Sequence, residues 1–90
     1  MSDRITLIEA AIRNSLTPVE LEVIDESHLH AGHAGAKSGL GHFRVNIVAE
    51  AFAGLRPLQR HRLVFDAVGD LMQTDIHALS INALTPDENV

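Results

Sequence analysis

The residue pattern predicts an α/β fold in the broad, α+β sense: a three-stranded sheet with helices packed on one face and the other face largely open. Three observations predict it. The apolar period changes from helical to alternating at Val19, two alternating runs flank a glycine-rich stretch over 28–41, and an apolar stripe over 58–72 gives way to a third alternating run over 76–84.

Ser2 suits an N-cap and Asp3 a first turn, and Ile5, Ile8, Ile12 and Leu16 recur at helical spacing, so residues 3–16 read as an amphipathic helix. Glu9 and Arg13, at i,i+4 on its wet side, are expected to pair. Thr17-Pro18 stops the helix, because the residue before a proline is pushed out of the helical region. From Val19 the period is two, with Val19, Leu21 and Val23 on one face and Glu20 and Glu22 on the other. The stretch from His28 to Gly41 carries Gly32, Gly35, Gly39 and Gly41 without periodicity and reads as a flexible loop. Phe43, Val45 and Ile47 then alternate with His42, Arg44 and Asn46, so the two strands form a long antiparallel hairpin.

Ala53-Gly54-Leu55 reads as a turn, and Pro57 can open a helix because its missing N–H is not needed there. Leu58, Val64, Phe65, Val68, Leu71 and Met72 mark a stripe over about four turns. A break near Gln59 is expected to set a short helix ahead of the long one. Gln73-Thr74-Asp75 closes the segment, and Ile76 to Leu84 follows as a strand with His77, Leu79, Ile81 and Ala83 on one face and Ser80 and Asn82 on the other. Thr85 to Val90 is a polar tail expected to fray.

Ninety residues with 46% apolar content build one small domain over 1–90, below the size at which chains split and expected to be a monomer alone or a weak homodimer. A net charge of -5 with seven Lys and Arg opposes a phosphate backbone, so any nucleic-acid contact has to come from a local patch. Three Phe, with no Tyr or Trp, leave little from which to build a base-stacking platform. The absence of cysteine excludes disulfides, thiol catalysis, thiolate zinc sites and an iron-sulfur cluster held by this chain unaided. MSDRITLIEA holds no apolar run of signal-peptide length and no segment approaches membrane-spanning length, so the chain is expected to be cytoplasmic. With no nucleophile elbow, P-loop or carboxylate pair at a compelling spacing, it is not expected to be an enzyme.

Chemistry-bearing residues gather in two places. SHLHAGHAGAKSGLGH, residues 27–42, holds His28, His30, His33 and His42. His-x-His and His-x-x-His spacings bring imidazoles close enough to share a zinc, copper, iron or nickel ion, but a glycine-rich loop fixes no coordination geometry, so from spacing alone solvent-exposed histidines titrating near neutral pH are the preferred reading. His77, on the same face as Leu79 and Ile81, reads as a part-buried, hydrogen-bonded residue. Its functional alternative is to face the hairpin loop from a strand end and supply a second imidazole, which leaves half a tetrahedral site for a partner. The second place is RPLQRHR, residues 56–62, where Arg56, Arg60 and Arg62 collect near a helix start that disfavours positive charge. That placement points to an anionic contact, unless Arg62 pairs with Asp66 at i,i+4. Gly32-His33-Ala34-Gly35 matches the G-x-x-G nucleic-acid clamp in letters only, because it lies between strands and not between helices.

Five blocks together resemble the BolA family over nearly the whole chain: LEVIDES at 21–27, HAGH at 30–33, GHFRVNIV at 41–48, FAGLRPLQRHRLV at 52–64 and IHALSINALTP at 76–86. The resemblance implies the element order αββααβ, similar to class II KH domains. It implies partnership with monothiol glutaredoxins bearing a Cys-Gly-Phe-Ser site, in which a two-iron two-sulfur cluster is held by the glutaredoxin cysteine and a glutathione thiolate on one side and BolA residues on the other. The family's C-terminal histidine falls on His77 and its loop ligand on His30, with His33 near enough to compete; His28 and His42 receive no such role. A mixed set of imidazoles here and partner thiolates has its analogue in Rieske centres. The family is also associated with iron homeostasis and transcriptional control, and its helix-turn-helix-like segment puts Arg60, His61 and Arg62, together with Arg56, in the role of DNA contacts.

Overall fold

The computed structural model describes residues 3–26 and 41–89. The elements are α1 (Asp3–Leu16), β1 (Glu20–Asp25), β2 (Gly41–Val48), α2 (Pro57–Val68), α3 (Leu71–Thr74) and β3 (Ile76–Leu84), with short 3-10 turns at Glu50–Phe52 and Pro86–Glu88. This is the αββααβ order. The sheet runs β1-β2-β3, with β1 antiparallel and β3 parallel to β2, so it is mixed. The helical stretch between β2 and β3 supplies the crossover that a parallel pair requires. No helix among the described residues is long and apolar enough to cross a membrane.

Side-chain alternation sets the two faces. Phe43, Val45 and Ile47 of β2 point to the helices with Val23 of β1 and are all buried, joined by Ile8 and Ile12 of α1 and by Val64 and Val68 of α2. Fully burying one such side chain stabilises by about 1.5–3 kcal/mol, so these few residues dominate the stability of so small a domain. Phe52, in the turn after β2, has no exposed surface and plugs the core. The opposite face carries Glu22 hydrogen-bonded by Asn46 at 3.0 Å and Glu26 by Arg44 at 3.0 Å.

Several expectations need correction. Gln59 does not break the helix: its Oε1 accepts from the Arg56 backbone N–H at 2.9 Å and thereby caps α2, with Pro57 in the first turn. The interruption comes at Gly69, whose φ of 52° is the left-handed conformation that glycine adopts without strain. Val19 is 63% exposed because it precedes the strand, beyond the helices' cover. Neither Glu9–Arg13 nor Arg62–Asp66 forms an ion pair among the described residues. Exposed i,i+4 pairs gain too little to overcome side-chain entropy. Ser2 lies outside the described residues.

Nor does the segment after β3 fray over its described residues, 85–89; Val90 lies outside them. Thr85 and Glu88 form a reciprocal capping box, with Glu88 Oε1 accepting from the Thr85 N–H at 2.8 Å. Arg60 clips this turn to α2: Nη1 donates to Glu88 Oε1 at 2.6 Å and Nη2 to Oε2 at 3.2 Å, while further donors reach the carbonyls of Leu55 and Ala83. The Arg60 guanidinium, then the Thr85 N–H, pull the Glu88 carboxyl down to about 2. Because the folded value lies below the ordinary carboxylate value, the contribution is present above about pH 4.5 and is lost as pH falls toward 2. An NMR acid titration should therefore show the Thr85 and Glu88 amides shifting within that window in the native chain and losing the transition in Glu88→Gln.

Candidate functional site

The start of β3 is where sequence-based expectation and structure diverge most usefully. Gly41 pairs with Ile76 and His42 with Ala78, so two steps along β3 match one step along β2 and His77 is the extra residue of a β-bulge. The bulge resets the alternation. Ile76 is buried in the core, Leu79 and Ile81 still pack against it, and His77 is exposed. The expectation that His77 shares a face with Leu79 and Ile81 is thus wrong, since an unbroken period of two cannot reveal an inserted residue.

The backbone here is fixed from both sides. Asp75, the residue before β3, presents its carbonyl to the Gly41 N–H at 3.0 Å and its carboxylate to Arg4 Nε at 3.4 Å and to the Thr74 hydroxyl at 2.7 Å. Glu26 N–H donates to the His42 carbonyl at 2.8 Å and extends the β1–β2 ladder past Asp25. The ends of β1 and the beginnings of β2 and β3 therefore converge at one end of the sheet. Segment 27–40 connects at that same end, and His77 lies there.

His42, which carries no role in the sequence reading, is brought against His77. It belongs to the open-face set with Arg44 and Asn46, yet it is only 8% exposed, and its ring centroid is 5.1 Å from that of His77 with the planes tilted by 57°. Two imidazoles in contact, one buried and one exposed, give a braced nitrogen donor at the solvent boundary. The signal was absent from the sequence because the contact depends on a parallel pairing between segments more than thirty residues apart. His30 and His33, and His28 with them, lie outside the described residues. Among the described residues no group of three or more His, Asp or Glu is disposed to hold a metal ion.

The basic segment separates into different roles. Arg60 has a side chain only 11% exposed and spends its donors on Glu88 and on two carbonyls, so it serves the fold. His61 is half-buried, while Arg56 and Arg62 are exposed and without an ion-pair partner among the described residues. A shallow groove lies on the open sheet face between Glu20, Glu22, Asn82 and Asn89, at the end of the sheet remote from His77. Its carboxylates are already held by amides, Glu22 by Asn46 and Glu20 by Asn89 at 2.8 Å.

As for known proteins, the sequence matches the family described as BolA-like protein over residues 12–88. It is 44% identical over 86 residues to SufE-like protein 1, chloroplastic/mitochondrial, of Arabidopsis thaliana, covering 90% of this chain and 23% of that protein. It is 40% identical over 81 residues to the DNA-binding transcriptional regulator BolA of Escherichia coli strain K12, covering 90% of this chain and 74% of that one. Among solved structures, the BolA domain of SufE1 from Arabidopsis thaliana superposes with a TM-score of 0.85 at 42% identity, covering 98% of each chain. The chain thus spans about a quarter of the SufE-like relative's length.

Proposed function

The chain belongs to the BolA-like family, and from that premise we propose that it is a non-enzymatic adaptor that docks on a monothiol glutaredoxin and shares a bridging two-iron two-sulfur cluster with it, in iron-sulfur trafficking or iron homeostasis. The observation that carries the reading is the bulge, which turns His77 out of the core at the sheet end where segment 27–40 attaches.

The donor set fits such a cluster only as half of a coordination sphere. Imidazole is a competent iron ligand in mixed sets with thiolate, and this chain offers nitrogen without sulfur. His77 would supply one nitrogen, and His30 or His33 the other. His42 acts through His77 by limiting the orientations of its ring, which lowers the ordering cost on docking. The partner and glutathione would bring the thiolates. When bound, the cluster supplies redox or transfer chemistry; this chain binds, orients and shields it.

A second reading, a DNA-binding regulator, is favoured by the name of the Escherichia coli relative and by the exposure of Arg56 and Arg62. In it Arg56 and Arg62 carry the contact, with His61 beside them and Arg60 occupied by Glu88.

Mixing the chain with a reduced monothiol glutaredoxin, iron, sulfide and glutathione is expected to give visible absorption and circular dichroism distinct from the glutaredoxin alone. His77→Ala and a His30→Ala/His33→Ala double variant should each abolish that difference while far-ultraviolet spectra stay native. An unchanged spectrum in both variants would overturn the ligand assignment. Sequence-selective duplex binding at physiological salt that disappears in Arg62→Ala would favour the second reading.

A further inference from the structure

The solvent side of α2 carries a pattern that neither the histidine site nor the fold uses. Leu58 is 63% exposed and Phe65 is 38% exposed, at i and i+7 on one helix face. Arg62 and Asp66, both exposed, lie beside them one turn apart without pairing to each other or to any described residue. Gly69 closes the stripe at the C-cap with no side chain to fill the space. One cation, one anion, one aromatic ring and one aliphatic group on a single stripe are what a self-complementary, two-fold contact needs.

We infer that this face is the contact surface for a second copy of the chain, paired through antiparallel α2 helices about a two-fold axis near Val64. At 100° per residue, this register sets Arg62 of each copy opposite Asp66 of the other along one side of the seam. The two Phe65 rings come side by side on the opposite side. At each end Leu58 lies over the bare Gly69 of the second copy. The charge pairs that fail within one helix are completed between two, and two exposed apolar side chains per chain leave water. A helix of 12 residues is about 18 Å long, so the area covered falls short of the roughly 1,200 Å² of a stable complex. The dimer is accordingly weak and forms with rising concentration. Acidic peptides, nucleic acid and the glutaredoxin are the other conceivable occupants; the unpaired Asp66 next to Arg62 disfavours the first two.

Sedimentation equilibrium and amide-shift dilution on the full chain, from about 10 µM to 1 mM, cover the range of such affinities. The native chain is expected to dimerise in that range and Phe65→Glu to remain a monomer. Arg62→Asp should weaken association about tenfold, since it turns two attractions into repulsions, and Arg62→Asp/Asp66→Arg should restore it to within about threefold of native. All four positions are exposed, so the variants are expected to keep native far-ultraviolet spectra. A native chain that stays monomeric throughout, a dimer indifferent to Phe65→Glu, or a double variant no better than Arg62→Asp overturns the inference. So does loss of glutaredoxin or duplex binding in Phe65→Glu alongside a monomeric native chain, because the face would then belong to that partner.

Discussion

Deleting His77 outright is expected to leave a folded protein that gives no glutaredoxin-dependent change in the visible spectrum. The geometry is unusual in permitting this. With the bulge residue removed, Ile76 still faces Gly41 and Ala78 still faces His42, now in an unbroken ladder. Ile76 stays in the core, Leu79 stays against it, and the cost falls on the Asp75 anchor, whose bonds to Arg4 and Gly41 sit one residue upstream. A change within about 1 kcal/mol is expected, because the core side chains keep their places and the packing lost is that of the exposed His77 ring against His42. Thermal unfolding and the mixing spectra, measured on the same preparation, check both halves. A deletion variant that unfolds would mean that the bulge is structural; one that folds and retains the spectrum would remove His77 from the site.

The second large effect concerns Phe52. Replacing it with alanine should destabilise the domain by about 3–5 kcal/mol, the range for emptying a fully buried aromatic position. Phe52 lies in the three-residue turn that carries the chain from β2 toward α2, with both its neighbours Ala51 and Ala53 exposed. Out of a total stability of about 5–15 kcal/mol, such a loss lowers the melting temperature by at least 12 °C on the scaling for domains of this size. Because Phe52 belongs to the sheet end opposite His77, Phe52→Ala should keep its glutaredoxin-dependent spectrum below its own melting point, and the two defects should add in a double variant. Calorimetry paired with the mixing assay tests this.

How much could be read from the residues alone depends on whether local or distant physics decides. Ile8 and Ile12, the alternation of Phe43, Val45 and Ile47, and the run from Ile76 to Leu84 are local periodicities, and each element appears where its period requires. Gln59 is ambiguous in the sequence because a polar residue two positions after a proline can end one helix or cap the next, and only the Arg56 N–H decides between them. The bulge at His77 and its contact with His42 are not legible in the sequence for a deeper reason. An inserted residue in a strand leaves no mark on composition, and the contact between these rings depends on β3 lying parallel beside β2. Charge alone points Arg60 toward an external anion, whereas its anion, Glu88, lies twenty-eight positions on in the same chain. In each case the partner that settles the role is remote in sequence.

The clasp between Arg60 and Glu88 also governs how this domain can be joined to others. It holds the final turn against the beginning of α2, and Asn89 then reaches across to Glu20. The chain consequently departs from the sheet end that carries Val48 and Leu84. Eight strand residues at about 3.3 Å each put roughly 25 Å between that exit and the imidazoles. A reporter or a neighbouring domain fused after Asn89 would thus stand clear of the imidazoles and of the glutaredoxin contact proposed there, with no long spacer needed, provided the last turn is left intact.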